Sequence, residues 1–232
     1  MSLDEVITGL MGSRALEGVR IGYIPAGTTN DFASSLGISH DMLLAAKAAV
    51  SDEVFSCDIG RFGEDYFVYV AAFGLFTEAS YSTSQDLKNL LGGAAYILEG
   101  AKQLADIPSY KMQVECDGEV IYGEFVFGMI SNSISVGGIK DVFADNISLS
   151  DGLFEVTLVR MPVNPLELSE IIGFFTNFNR DTRLVESFKC GTVTISATEK
   201  VSWTLDGEYG GSVDKVHISV IPKAVDFLVD KD

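Results

Sequence analysis

The chain has 232 residues, 47% of them hydrophobic, enough for one large domain or one domain plus part of another and too apolar for a disordered tail. A formal net charge of −17 excludes nucleic acid, whose phosphates demand clustered Lys and Arg. The same charge repels an anionic membrane unless a local basic patch faces it, and no apolar run approaches the roughly 20 residues of a membrane span.

In chain order, residues 4–11 place Val6, Ile7, Leu10 and Met11 at helical spacing. Residues 19–24 form a short apolar run ending at Pro25, which predicts a buried strand. The loop AGTTNDFASSLGI follows, with Asn30 or Asp31 placed to cap a short helix, and residues 41–50 predict a second, Ala-rich helix. Helix, strand, loop and helix belong to an α/β layer. From residue 51 the pattern changes. VFSCDIGRF and YFVYVAAFG predict two strands about a tight GED turn, and residues 86–104 a helix interrupted by two glycines. KMQVECDGEVIYGEFVFGMIS predicts a hairpin about Asp117-Gly118, with the Phe125–Ile130 run in the core. LFEVTLVRM reads as a strand and PLELSEIIGFFTNF as a helix with Pro165 near its start. The stretches ESFKCGTVTISA, VSWTLDGEY and KVHISVIP close the chain as at least three strands. The predicted class is α+β: an α/β portion over 1–50, a larger β-rich, sandwich-like domain over 51–222, and a segment over 223–232 that returns to the first portion. One strand and two or three helices cannot cover both faces of a parallel sheet. Partner strands are therefore expected outside this chain, and the open edge is expected to form a homodimer, dock or be poorly ordered.

The two histidines, His40 and His217, lie far apart without ligand-spaced neighbours, so neither a zinc site nor a His-activated nucleophile is expected. Three widely spaced cysteines, Cys57, Cys116 and Cys190, predict buried thiols in a reducing cytoplasm rather than a disulfide framework. Chemistry must then rest on Asp, Glu, Thr, Asn and backbone groups, which points to metal and phosphate chemistry or to none. Gly27-Thr28-Thr29-Asn30-Asp31 lies between a strand and a helix, where N–H groups can face an anion or merely start the helix. Asp206-Gly207-Glu208 is either a turn or a site, and Asp117-Gly118-Glu119 repeats the same three residues in a hairpin context. Two carboxylates two residues apart point to the same side of an extended chain.

The segment Ile24-Pro25-Ala26-Gly27-Thr28-Thr29-Asn30-Asp31-Phe32-Ala33 resembles the P-x-G-T-x-N-D-[FL]-[AG] segment of diacylglycerol and sphingosine kinases. Ser150-Asp151-Gly152-Leu153-Phe154 is similar to their D-D-G-x-[LF], and Leu205-Asp206-Gly207-Glu208 to their [VL]-D-G-E. AAFGLFTEASYSTSQDLKNLLGGAAYILEG resembles the block between them, so the likeness spans nearly the whole chain. It implies a lipid kinase, with diacylglycerol as the foremost acceptor and a sphingoid base or another lipid alcohol as the runner-up. Residues 1–50 become the remnant of a nucleotide-binding domain and 51–222 the lipid-substrate domain. The resemblance implies ATP, bound by Gly27, Thr28 and Asn30, and Mg²⁺, held by the Asp151 carboxylate and the carbonyls of Leu153 and Ser148. Asp206 and Glu208 become the catalytic pair, their roles left open between base and metal ligand. The expected partner is a lipid at the membrane surface, reached by a cytoplasmic protein with peripheral membrane association. These kinases carry G-G-D-G-T ahead of a helix resembling N-E-V-x-N-G-L. Asp4-Glu5-Val6-Ile7-Thr8-Gly9-Leu10 matches that helix, yet only Met1-Ser2-Leu3 precede it. The expectation is a truncated chain, inactive alone, with a non-catalytic lipid- or ligand-binding module as the alternative.

Overall fold

The structure is a computed structural model that describes residues 3–13, 18–27, 30–75, 108–133, 135–136, 139–140, 148–175 and 182–230. The first portion contains helix α1 (Leu3–Ser13), strand β1 (Arg20–Gly22) and helices α2 (Asp31–Ser35) and α3 (Met42–Ala48). Strands β2 (Val54–Phe62), β3 (Asp65–Phe67), β4 (Val70–Gly74), β5 (Tyr110–Cys116) and β6 (Glu119–Ser131) follow. Next come the short pair β7 (Ser135–Val136) and β8 (Ile139–Lys140), strand β9 (Phe154–Arg160) and helix α4 (Pro165–Phe175). Strands β10 (Val185–Cys190), β11 (Thr192–Leu205) and β12 (Glu208–Leu228) close the chain. The class is α+β, as its patterning predicts. The helix predicted at 86–104 lies outside the described residues.

Local chemistry explains where elements begin. The Asp41 carboxylate accepts from the N–H groups of Leu43 and Leu44 and starts α3. Asn164 does the same for Leu166 and Glu167 ahead of α4, whose first residue is Pro165. The alternating run YKMQVEC turns through Asp117 (φ 49) and Gly118 (φ 89) into β6, placing Cys116 opposite Glu119.

The large sheet runs β10-β9-β6-β4-β11-β12-β2-β3, with β1 parallel to β12 and β5 joined to both β6 and β11. Strand β6 pairs with β5 over Glu119–Phe125 and with β4 over Phe127–Ser131. Strand β11 likewise pairs with β5 over Val193–Ala197 and with β4 over Trp203–Leu205. The strands β4, β6, β5 and β11 thus close on themselves, and closure pairs edges that an open sheet would leave exposed. Trp203 packs inside this closure between Phe62 and Phe73, with ring centroids 5.0 and 4.9 Å away. Phe67 stacks on Phe154 and lies over Gly60, where any Cβ would meet the ring at 2.2 Å. A second apolar cluster gathers Ile7, Phe32 and Ala45 from the helices with Cys57, Ile59, Val225 and Phe227 from β2 and β12. The last residues of β12, Asp226–Leu228, lie beside Arg20–Gly22 of β1 and also pair with β2. The predicted Phe125–Ile130 core run is buried at Phe125, Val126, Phe127, Met129 and Ile130.

Three expectations need correction. The YFVYVAAFG run is two strands, because the N–H groups of Val68, Tyr69 and Val70 turn away from the ladder to a side-chain carboxylate. The ESFKCGTVTISA stretch breaks at Gly191, and its second half continues through Leu205 as β11. Cys116 and Cys190 are joined in a disulfide rather than standing as separate thiols, while Cys57 is free and buried. The bridged residues are 74 apart in sequence. Only the pairing of β5 with β11, opposite Cys116 at Val193, brings them together, and cysteine spacing carries no trace of it.

Candidate active site

The two DGE triplets fold alike and are used differently. Asp206 (φ 51) and Gly207 (φ 88) form the same positive-φ turn as Asp117-Gly118, with Leu205 opposite Glu208. Asp117 stays exposed on its turn. Asp206 instead folds its carboxylate back onto β4. Oδ2 accepts from Val68 N–H at 2.6 Å, Oδ1 accepts from Tyr69 and Val70 N–H at 2.9 and 3.0 Å, and the Asp206 N–H donates to Val70 O. The two carboxylates of this triplet therefore do not point together along an extended chain. Asp206 is spent on the backbone, whereas Glu208 is exposed at the start of β12. Burial pushes the Asp206 carboxyl up to about 7 against the pull of the three N–H donors, and Asp4 adds to the push.

Around this turn the surface is concave. A cleft of about 650 Å³ is lined by Asp4, Glu5, Thr8, Asp65, Tyr66 and Glu208, a size suited to a small-molecule ligand. A second recess of about 190 Å³ brings Gly27, Asn30 and Asp31 together with Asp4, Asp206 and Glu208. The α/β portion and the β-rich portion thus meet where four of the residues singled out in the sequence converge. Asn30 (φ 50) makes no side-chain cap on α2; its Oδ1 accepts the Gly27 N–H at 2.8 Å and closes the loop on itself. Thr28 lies outside the described residues. Asp4 is a site residue that the sequence did not single out. Among the described residues its buried Oδ1 has no hydrogen-bond partner, and burial, then Glu208, Asp65 and Glu5, push its carboxyl up to about 6.

Ser148, Asp151 and Leu153 form a separate turn. Asp151 Oδ1 accepts the Leu153 N–H at 3.2 Å, Oδ2 lies 3.3 Å from Lys189 Nζ, and Ser148 Oγ accepts the Ser150 N–H at 3.4 Å. Lys189 Nζ also sits 3.1 Å from the buried carboxylate of Glu155. A buried hydrogen-bond chain joins this turn to Asp206, and the sequence reading missed it. Gly152 and Lys223 donate their N–H groups to the fully buried Asp58 carboxylate, both at 2.7 Å. Asn132 Nδ2 donates to Asp58 O, Asn132 N–H to Tyr69 O, and Tyr69 N–H to Asp206. The signal for Asp58 was a lone acid inside an apolar strand run, which must be hydrogen-bonded if buried. Among the described residues the buried Asn132 Oδ1 has no hydrogen-bond partner, an oxygen acceptor next to Asp58. Carboxylate, carbonyl and amide oxygens of this kind suit a hard divalent cation.

Comparison with known proteins follows the same division of the chain. Residues 2–62 match the diacylglycerol kinase catalytic domain, and residues 71–229 match the YegS C-terminal NAD kinase beta sandwich-like domain. The diacylglycerol kinase of Bacillus subtilis (strain 168) is 34% identical over 217 residues, which covers 90% of this chain and 69% of that protein. The diacylglycerol kinase of Staphylococcus carnosus (strain TM300) is 32% identical over 233 residues, covering 97% of this chain and 74% of the relative. A crystal structure of a diacylglycerol kinase from Bacillus anthracis str. Sterne shares the fold, with a TM-score of 0.64 and 19% identity over 90% of this chain and 66% of that one.

Proposed function

This chain belongs to the bacterial diacylglycerol kinase family and is a lipid kinase, and we propose that it transfers the γ-phosphoryl group of ATP to the hydroxyl of diacylglycerol with Glu208 as the general base. The observation that carries the assignment is the division of labour in the DGE turn. Asp206 has its carboxylate committed to three backbone N–H groups, and Glu208 faces the 650 Å³ cleft. The acceptor hydroxyl oxygen attacks the γ-phosphorus, Glu208 takes the hydroxyl proton, and the bond to the bridging oxygen of the leaving ADP breaks. Asp206 acts as a positioning residue. By gathering the N–H groups of Val68–Val70 it fixes the β12 start that aims Glu208.

The recess beside Glu208 holds Gly27 and Asn30, where the nucleotide is proposed to lie, and Thr28 is proposed to bond its phosphate. Asp4, Asp31, Asp206 and Glu208 around it give a lining that accepts phosphate only with its charge screened. A divalent cation such as Mg²⁺ supplies that screening when bound. The Asp151 carboxylate, with the main-chain carbonyls of Leu153 and Ser148, would hold a further one in the turn that Asp58 anchors. The acceptor lipid reaches the protein at a membrane surface by peripheral association.

Labelled phosphate transfer from ATP to diacylglycerol in mixed vesicles tests the assignment in the full protein. Glu208→Gln is expected to lose roughly 10²–10⁴-fold in kcat with an unchanged melting temperature, since its side chain is exposed. Asp206→Asn is expected to lose activity and melting temperature together. A Glu208→Gln protein within a few-fold of the parent activity overturns the base assignment.

A further inference from the structure

We propose that the Cys116–Cys190 pair is a thiol–disulfide redox site that sets how firmly β10 holds the Asp151 turn. The bridge joins the end of β5 to the end of β10, Cα to Cα 6.0 Å apart and 74 residues distant in sequence. Cys190 is flanked on both sides by contacts with that turn. The residue before it, Lys189, reaches Asp151 Oδ2 at 3.3 Å and Glu155 Oε1 at 3.1 Å. In the residue after it, Gly191, a Cβ would lie 3.4 Å from Gly152 O. The strand end bearing Cys190 therefore carries the cation that pins the Asp151 carboxylate and the backbone that abuts the next residue of the turn. Fixing Cys190 to the β5–β6 hairpin fixes both.

The two sulfurs differ in access. Cys190 is fully buried, while Cys116 is 9% exposed and leads directly into the exposed Asp117-Gly118 turn. A dithiol reductant therefore enters at Cys116. Its thiolate bonds to the Cys116 sulfur, the bond to Cys190 breaks, and Cys190 leaves as a thiolate that takes up a proton. The second thiol of the reductant closes its own disulfide and releases Cys116 as a thiol. Two electrons and two protons pass from reductant to protein. Cys57 takes no part. It is fully buried in the second apolar cluster, and burial raises its thiol well above the range in which a thiolate forms. Once reduced, the hairpin and β10 lose their covalent tie, and β10 is held beside the turn by the Lys189 ion pair and by the β9 ladder, where Cys190 lies opposite Phe154, while Asp58 keeps its bonds to Gly152 and Leu149.

Thiol titration under unfolding, non-reducing conditions, after mild oxidation with glutathione disulfide, is expected to find one thiol per chain, from Cys57, and three after dithiothreitol. Reduction is expected to lower the melting temperature by roughly 10 °C and to speed amide exchange at residues 149–154 several-fold. The Cys116→Ser/Cys190→Ser variant should match the reduced protein and ignore dithiothreitol. Neither readout needs catalysis, so both stand apart from the kinase mechanism. Three thiols in the oxidised sample, or equal exchange at 149–154 in both states, overturns the proposal. Stoichiometric zinc uptake by reduced protein that re-protects 149–154 also overturns it. The Asp117 carboxylate lies within 4.8 Å of both sulfurs, and the pair would then be a metal site.

Discussion

Asp206 and Asp117 share a triplet, a turn and nearly the same φ, and among the described residues only Asp206 is held by backbone donors. The difference comes from the neighbour across the ladder. Leu205 lies against β4, beside three N–H groups left over where β3 and β4 separate, whereas Cys116 lies against β6, whose pairing with β5 is unbroken from Glu119 to Phe125. A local motif could therefore be read as a turn from sequence, but not as a site. Asp4 adds a consequence at the same scale. Its helix resembles one that begins with Asn in related kinases, and here a carboxylate faces Glu208 and Asp65 instead. Burial and these neighbours hold the Asp4 carboxyl up near 6, above its ordinary value of 3.8. A carboxyl raised in the folded state binds more protons folded than unfolded between those values, so stability is full below about 4 and falls as pH rises towards 6. Asp206, held up to about 7, extends the decline to that pH. Asp4→Asn is expected to remove the Asp4 share, so that its melting temperature falls less than the parent's between pH 4 and 7. Parallel curves for the two proteins would contradict the coupling.

At the scale of elements, Asp58 does for β2 what capping residues do for the helices. It satisfies donors that no ladder reaches, the Gly152 N–H of the turn and the Lys223 N–H at the bulge where β12 shifts register between Ile221 and Val225. Its own N–H donates to Leu149 O. Asp58→Ala leaves the part-buried N–H groups of Gly152 and Lys223 without their carboxylate acceptor, at a cost of about 1–3 kcal/mol. The expected signature is faster amide exchange at Gly152 and Lys223 with β5 and β6 unaffected; unchanged exchange at both sites would show that water replaces the carboxylate. The strands themselves were legible because alternation and turn residues are local properties. VFSCDIGRF, the β5–β6 hairpin and LFEVTLVRM fall where their patterns place them. Asp58 was not legible as an anchor, since its partners lie 94 and 165 residues away. The disulfide was hidden for the same reason. The split of YFVYVAAFG depends on a carboxylate more than a hundred residues downstream.

For the whole molecule the question is whether the helical portion and the strand-rich portion stand or fall together. Strand β12, 21 residues long, answers it by running through both. Val216 and Ile218 belong to the cluster around Trp203, and Val225 and Phe227 to the cluster around Phe32. Strand β2 makes the same passage, with Phe62 in the first cluster and Cys57 and Ile59 in the second. Shared strands couple two cores more tightly than a linker would, because losing one unpairs the ladder that supports the other. Phe227 is fully buried and meets Phe32 edge-on at 5.3 Å. Phe227→Ala is expected to destabilise by about 3–5 kcal/mol. Trp203, the sole tryptophan, lies in the other cluster and is 1% exposed, so its fluorescence reports on a region the substitution does not touch. If the portions form one cooperative unit, the fluorescence midpoint in urea shifts with the far-UV circular dichroism midpoint and by the same amount. If Trp203 keeps the parent midpoint while the dichroism splits into two steps, the helical portion unfolds by itself, and β12 is a hinge rather than a common spine.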